Sequence, residues 1–287
     1  MKAPPFNYHR PSTVAEALDL KRDLGGEARV LAGGQSLIPL MHLRLANPDH
    51  LIDINALDEL AYLRREDGHL AIGARSRHAD VLSSPAAAAV PLLVDAVSQV
   101  GHAQIRHRGT VAGSMAHADP AAEIPAAVLA LGGSLTARSA SAERSVAAAD
   151  FFTGPFQTCL ADDEILTEVR VPVWPEGTGT AFVEFARVYH GFPVVGVAAL
   201  VHLAGGVVDR AAVGLCGMAA SAVTVPVDGL IGQAPSEQII AAVAHAAAEG
   251  LDPPGDIHGS TAYRRRVGRA YIRRALTAAA ADAGGAR

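Results

Sequence analysis

Only two cysteines, Cys159 and Cys216, occur in 287 residues, and they do not form a CxxC pair. That spacing excludes an iron–sulfur cluster or a structural zinc built from this chain's thiols alone. Both read as small buried apolar residues, and a disulfide between them is not expected in a reducing compartment. Aromatic residues make up 5% of the chain, so an exposed one stands out. The net charge of −5 argues against nucleic acid as an obligate partner. No apolar run is long enough to span a bilayer: residues 194–203 are apolar, but the run is short and ends at Gly205-Gly206. The start Met1-Lys2-Ala3-Pro4-Pro5 has no apolar core of a secretory signal, and a cytoplasmic location is expected. Twelve histidines include no HExxH, and His102 and His107 are five apart and fall on different faces of any helix, so no metal site is expected. There is neither a GxSxG elbow nor a GxGxxG after a strand, which disfavours a serine hydrolase and a Rossmann-type nicotinamide dehydrogenase.

Half of the residues are apolar, ample for a core, and the length exceeds one average domain. The densest signal follows the short run Ala28-Arg29-Val30-Leu31, which empties into Ala32-Gly33-Gly34-Gln35-Ser36-Leu37. Glycines lack a β-carbon and let backbone lie close to a ligand. Successive amides in such a bend can form an anion nest, and Ser36 with a helix over residues 36–43 can add a hydroxyl and a helix N-terminus. The same residues also suit a plain turn. A second small-residue segment, Gly109-Thr110-Val111-Ala112-Gly113-Ser114, runs on through His117, Asp119 and Pro120 to Glu123 and Pro125. It reads as a loop, with Asp119 capping a helix that begins at Pro120 and continues to Leu131. A tight structural loop fits this second segment equally well.

Together the two segments resemble the FAD-binding subunits of the molybdenum hydroxylases, the xanthine dehydrogenase and carbon monoxide dehydrogenase family. The family's first loop reads A-G-G-(H/Q)-S-L-(I/L)-P, which Ala32 to Pro39 follow throughout. Its second loop reads G-T-(I/V)-G-G-(N/S)-x-x-x-(A/G)-D-P-x-x-D-x-P, matched from Gly109 to Pro125 except at Ala112 and Glu123. The opening Phe6-x-Tyr8-x-Arg10-Pro11, the segment 164–172 and the late Tyr263-Arg264-Arg265 extend the likeness along nearly the whole chain.

The resemblance implies an oxidoreductase flavoprotein with FAD as cofactor and no catalytic side chain of its own. The nest at Gly33-Gly34-Gln35-Ser36 would take the diphosphate oxygens through backbone amides, without a positive side chain, and Arg29, Val30, Leu31, Ala32 and Leu37 around it are further cofactor-binding positions. Thr110, Gly113 and Ser114 would contact the phosphate and ribityl side, Gly101 and Ala112 are further cofactor-binding positions, and His117 is the one histidine near the cofactor. Glu123 stands where the family has an aspartate that accepts hydrogen bonds from cofactor hydroxyls. Leu166 and Arg187 match positions near the flavin, Leu166 chiefly as a packing residue. Phe192 matches an aromatic that shields or gates a ring face, while Gly191 replaces the family's aspartate and Pro193 its alanine; Tyr189 and His190 are candidates to compensate. Phe192 as ordinary core beside a turn is the equal alternative.

The implied role is electron transfer. Iron–sulfur clusters of a small partner subunit would feed FAD, a large molybdenum-cofactor subunit would oxidise the substrate, and an external acceptor would discharge the flavin, in a heterotrimer or a dimer of heterotrimers. The alternatives are a self-contained flavin oxidase or dehydrogenase, and an interaction subunit that has lost flavin. The implied fold is α+β: a two-part FAD-binding domain of the PCMH/vanillyl-alcohol oxidase type (residues 1–55 and 56–175) and a smaller C-terminal α+β domain (176–287). The pattern of the chain agrees, with a capping box at Thr13 and Glu16 opening a helix to Leu24. Strands are expected at 29–31, 51–54, 69–73, 134–138 and 165–171, and a helix at 86–100. After a linker at 174–177 come a meander over 180–215, helices over 236–249 and 263–280, and a frayed tail from 278. The arginines at 264–274 suit a solvated face or a contact with a partner subunit.

Overall fold

The computed structural model describes residues 2–188 and 191–285. A small parallel sheet comes first, in which β1 (Asn7–His9) and β2 (Ala28–Leu31) flank β3 (His50–Asp53). Parallel neighbours need a crossover, supplied between β1 and β2 by α1 (Val14–Leu24) and between β2 and β3 by α2 (Leu37–His42). Thr13 caps α1 by accepting from the Glu16 amide at 3.1 Å, but the Glu16 carboxylate turns to Ser12 instead of closing the box. The β3 strand ends one residue earlier than expected because Asp53 accepts from the Asn55 amide and opens a 3-10 turn. Strand β1 is too short to show a sequence period.

The second sheet is antiparallel. It is built from β4 (Leu63–Glu66), β5 (His69–Gly73), β6 (Ser134–Arg138), β7 (Glu143–Ala147) and, after the small β8–β9 pair (Phe152–Gly154 and Gln157–Thr158), β10 (Ile165–Pro172). Its order is β4-β5-β10-β6-β7. Between β5 and β6 lie α3 (His78–Ser83), α4 (Pro91–Gln99), α5 (Ala103–Arg106), α6 (Val111–His117) and α7 (Glu123–Leu131), and α8 (Ala148–Phe151) follows β7.

Three expectations fail in this stretch. The helix over 86–100 is split into a 3-10 turn at Ala87–Ala89 and α4, because Pro91, with no amide hydrogen, starts a helix at its first position. The supposed loop after Thr110 is the helix α6, capped by the Thr110 side chain. Asp119 does not cap a helix at Pro120: its Oδ1 accepts from the Ala121 amide at 2.9 Å in a tight turn after left-handed Ala118, and α7 begins only at Glu123.

The third sheet is an antiparallel meander of β11 (Gly179–Ala186), β12 (Pro193–Ala204), β13 (Val207–Cys216) and β14 (Val223–Val225). Gly205 and Gly206, both at positive φ, make its two-residue hairpin turn. Helices α9 (Glu237–Glu249) and α10 (Thr261–Ala283) lie on one face of this sheet, and α7 and α4 on the other. Nearly continuous apolar residues in β12 are therefore explained by burial on both faces. Ala198 and Leu200 enter the first core, Val195, Val197, Ala199 and Val201 the second. Every residue of α7 is buried, as expected for a helix that is apolar all round. The tail is helical to Ala283, not frayed from 278. Gly179 lets β11 approach the α10 backbone at Ala279 and Ala283, and the Asp282 carboxylate accepts from the Thr180 amide. The arrangement is the expected α+β fold.

Candidate functional site

The two small-residue segments, far apart in sequence, meet. A β-carbon at Gly33 would collide with the carbonyl of Arg108 and lie 2.8 Å from the Gly109 Cα, so only glycine allows the first bend to rest on the second. Gly34 takes a φ of 73°, the left-handed conformation glycine tolerates. Leu31 packs under it from the end of β2. The chain then enters α2, where Ile38 and Leu40 donate back to the carbonyls of Gly34 and Ser36. Among the described residues, the amides of Gly33, Gly34, Gln35, Ser36 and Leu37 have no acceptor within the protein. The Ser36 hydroxyl caps nothing either, and the exposed Gln35 side chain reaches only the Gly33 carbonyl at 3.3 Å. Arg29 points outward to the Gly26 carbonyl, and Val30 is half-buried. Amides left open at a bend and a helix start form an acceptor site for an anion.

A side-chain strap crosses behind the bends. The Asn55 amide donates to the Ala32 carbonyl at 2.9 Å and to Asp53 Oδ1 at 2.5 Å, and the Tyr8 hydroxyl holds the other Asp53 oxygen. Arg77 then bonds Asn55 Oδ1 with one guanidinium nitrogen and the Arg108 carbonyl with the other. The sequence gives little notice of these residues, because they are single polar side chains with no glycine signature. Gly109 is equally constrained: a β-carbon there would lie 2.8 Å from the His78 ring. His78 is buried, and burial, with nearby Arg106 and Arg77 adding and the Thr110 backbone opposing, lowers its pKa to about 4.

In the second segment Thr110 is buried and accepts from the Gly113 amide at 3.0 Å, and a β-carbon at Gly113 would press on that hydroxyl. Ser114 is half-buried. Ala112 is buried inside α6 with a negative φ, so its β-carbon costs no backbone strain. Gly101 has a φ of 46°, and Arg106 donates to its carbonyl at 2.6 Å. The half-buried His117 ring lies 5.2 Å from that of Phe156, and burial lowers its pKa.

A different chemistry gathers at the start of α7. Glu123 is 8% exposed, and burial pushes its pKa to about 8, with Glu184 and Asp119 adding to the shift. Across the third sheet Glu184 pairs with Gly196, and Gly196 with Cys216, so these three share one face. That face meets α7, since Gly214, the neighbour of Ala198, abuts the Ala126 carbonyl. One Glu184 oxygen is buried without a partner, and burial raises its pKa to about 7. The Cys216 thiol is fully buried and is pushed up by burial and then by Glu123 and Glu184. Cys159, expected to be buried, is only partly so, and both cysteines are free thiols. Glu184 escapes sequence reading because it sits in an alternating strand where a charged residue normally faces water.

The remaining predicted positions are spread out. Leu166 is 5% exposed, in the first core on β10, on which α6 packs. Arg187 is exposed and donates to the His258 carbonyl at 2.9 Å. Phe192 is 78% exposed and therefore not core. Tyr189 and His190 lie outside the described residues. Of the late arginines, Arg264 is neither solvated nor a surface contact. It is buried and donates to the carbonyls of Val194 and Gly217 and to Asp256, because the start of β12 needs donors that α10 alone can bring. Among the described residues no helix is long and apolar enough to cross a membrane.

Comparison with known proteins matches residues 4–174 to the FAD binding domain in molybdopterin dehydrogenase and residues 180–279 to the CO dehydrogenase flavoprotein C-terminal domain. The chain is 40% identical over 283 residues to the 6-hydroxypseudooxynicotine dehydrogenase complex subunit alpha of Paenarthrobacter nicotinovorans, covering 97% of this chain and 96% of that protein. It is 36% identical over 284 residues to the carbon monoxide dehydrogenase medium chain of Hydrogenophaga pseudoflava, covering 97% and 98%. Among solved structures, carbon monoxide dehydrogenase from H. pseudoflava lacking the Mo-pyranopterin moiety superposes with a TM-score of 0.96 at 36% identity, covering 98% of this chain and 99% of that one. Quinoline 2-oxidoreductase from Pseudomonas putida 86 gives a TM-score of 0.93 at 35% identity, covering 100% and 99%.

Proposed function

This chain belongs to the FAD-binding subunits of the molybdenum hydroxylases, oxidoreductase components with FAD as their cofactor, and on that premise we propose that it is an electron-transfer subunit. Electrons from iron–sulfur clusters of a small partner would reach its FAD and leave to an external acceptor, while a large molybdenum-cofactor partner oxidises the substrate. The assembly is a heterotrimer, or two of them paired. When bound, the flavin supplies the redox chemistry; this chain's residues bind it, orient it and hold protons near it.

The observation that carries the reading is the contact of Gly33 with Arg108 and Gly109, beside which five consecutive amides have no acceptor among the described residues. A diphosphate fits such donors, with Ser36 available as a further one. Thr110, Gly113 and Ser114 would take the phosphate–ribityl side, with Gly101 and His117 beside it. Glu123, its pKa raised by burial to about 8, would meet the cofactor hydroxyls largely as a neutral carboxyl at pH 7, able to donate as well as accept. Arg187 and Phe192 would border the ring from the third sheet, and Leu166 would support it from below. In this division residues 1–55 and 56–175 form the cofactor-binding unit, and 176–287 the unit that closes it.

The relatives differ in the substrates their names carry, a nicotine derivative and carbon monoxide among them. The substrate is accordingly set by the large partner. Purification of the assembled complex tests the reading: about one FAD per copy of this chain is expected, with co-purifying cysteine-rich and larger polypeptides. A complex without flavin absorbance refutes it. Dehydrogenase turnover by the chain alone would instead support a self-contained enzyme.

A further inference from the structure

Arg77 stands between the two bends, and its position is unusual for a cation. Its guanidinium does not meet a carboxylate: among the described residues no ion pair involves Arg77 or Arg108. Instead one nitrogen bonds the Arg108 carbonyl and another bonds Asn55 Oδ1, while Asn55 holds the Ala32 carbonyl at 2.9 Å. The backbone on both sides of the Gly33 contact is thus tied through one planar fork. The side chain is half-buried; burial, then the neighbouring Arg108 and Arg75, lower its pKa, while the carboxylates of Asp80 and Asp53 offset part of that shift.

We infer that Arg77 is a positioning residue for a diphosphate-bridged dinucleotide: its fork fixes the separation of the two glycine bends, and its charge, outside any direct ion pair among the described residues, lies at the same junction. This rests on the flavin-binding reading above and adds to it. Backbone amides alone would bind the diphosphate with little dependence on salt, whereas a nearby cation makes binding weaken as ionic strength rises. The fork also predicts that lysine is a poor substitute, since one ammonium cannot reproduce two divergent planar bonds.

The test is FAD titration of the cofactor-free full-length chain, followed by flavin fluorescence at low and high salt, with thermal melting of each cofactor-free variant alongside. Arg77→Met is expected to weaken FAD binding about 30-fold, the scale of losing charge-assisted bonds, and to flatten the salt dependence. Arg77→Lys is expected to keep the salt dependence but stay about 10-fold weak. Asn55→Ala, which cuts the strap while leaving the charge, should behave like Arg77→Lys. Millimolar guanidinium should restore part of the affinity of Arg77→Ala but none of that of Asn55→Ala. Unchanged FAD affinity in Arg77→Met overturns the inference. So does a loss of affinity matched by a fall in cofactor-free melting temperature with the salt slope intact, since that is the signature of a purely structural residue. Wild-type chain that binds no FAD refutes the flavin reading itself, a result distinguishable from either.

Discussion

The two ends of the candidate site are built on opposite principles. At the glycine end, recognition would be made by the main chain: open amides at residues 33–37, glycines that permit close approach, and the Arg77 cation tied to the Arg108 carbonyl beside them. At the other end it is made by side chains from distant strands, with Glu123, Glu184 and Cys216 gathered where α7 crosses the third sheet. One end holds a buried neutral base, His78, and the other one buried and one half-buried carboxyl, both raised toward neutrality. A cofactor with a dianionic bridge at one end and hydrogen-bonding hydroxyls and a ring at the other matches that polarity. The difference teaches that charge is supplied where the ligand is charged, and protons where it is not.

The largest effect is expected at the main-chain end. Gly33→Val places a branched side chain against the backbone of Arg108 and Gly109, which cannot yield as a flexible side chain would. The bends must separate, at a local cost of about 1–3 kcal/mol for overpacking, and the open amides lose their common focus. Purified Gly33→Val chain should carry less than about a tenth of the wild-type flavin, judged by the visible absorbance ratio and by affinity differences of this size. It should keep the melting transition of the second core, which lies elsewhere. Full flavin occupancy in this variant would remove the main-chain end from the comparison.

The glycine end was legible in the sequence because its function resides in what is missing: a β-carbon absent at Gly33, Gly34 and Gly113 is visible as a letter. The same letters misled locally. Small residues from Val111 to His117 read as a loop, yet they make a helix because Val111, Ala112 and Met115 fill the first core against β10, β5 and α7. The other end was legible only at Glu123, through its place in a motif. Glu184 and Arg264 look like surface residues, since an alternating strand and a basic helix normally turn such side chains to water. Only tertiary pairing of β11 with β12, and of α10 with the end of β12, turns them inward. Asn55 and Arg77 were missed for a related reason: they act by joining segments, and no local pattern records a joint.

Opposite pH responses sharpen the contrast next. Glu123 holds its proton more tightly folded than unfolded, so its stabilising contribution is fully present below the ordinary value of 4.5 and is lost as pH rises through about 8. Glu184 follows the same course through about 7. The expected loss for Glu123 is on the order of 4 kcal/mol, read as a falling melting temperature of the cofactor-free chain between pH 5 and 9. Glu123→Gln should remove most of that slope; an unaltered slope would mean that the carboxyl is not the buried neutral group described. His78 acts in the other direction. Its folded pKa is depressed, so its contribution is present above the ordinary value of 6.5 and is lost as pH falls through about 4. The expected loss is on the order of 3 kcal/mol, and His78→Leu should abolish that acid-side decline while leaving the alkaline one. A variant that changed both limbs would show that the two ends are one electrostatic unit.

The smallest effect on stability belongs to Phe192, and its value lies in separating fold from cofactor. The ring is 78% exposed and contributes almost nothing to either core, so Phe192→Ala should change stability by less than about 0.5 kcal/mol. Its segment is nevertheless held: Arg187 is tied to the His258 carbonyl, and Arg264 to the Val194 carbonyl just past Pro193. A large apolar side chain on an anchored segment, kept in water by the chain alone, gains by covering an aromatic surface. Flavin bound beneath Phe192 would have its fluorescence quenched by stacking, so removal of the ring should raise emission about twofold while FAD affinity falls only a fewfold, in line with a stacking contribution of about 1 kcal/mol. Emission unchanged at equal occupancy would mean that the segment does not reach the ring, and that the side-chain end of the site stops at Glu123 and Glu184.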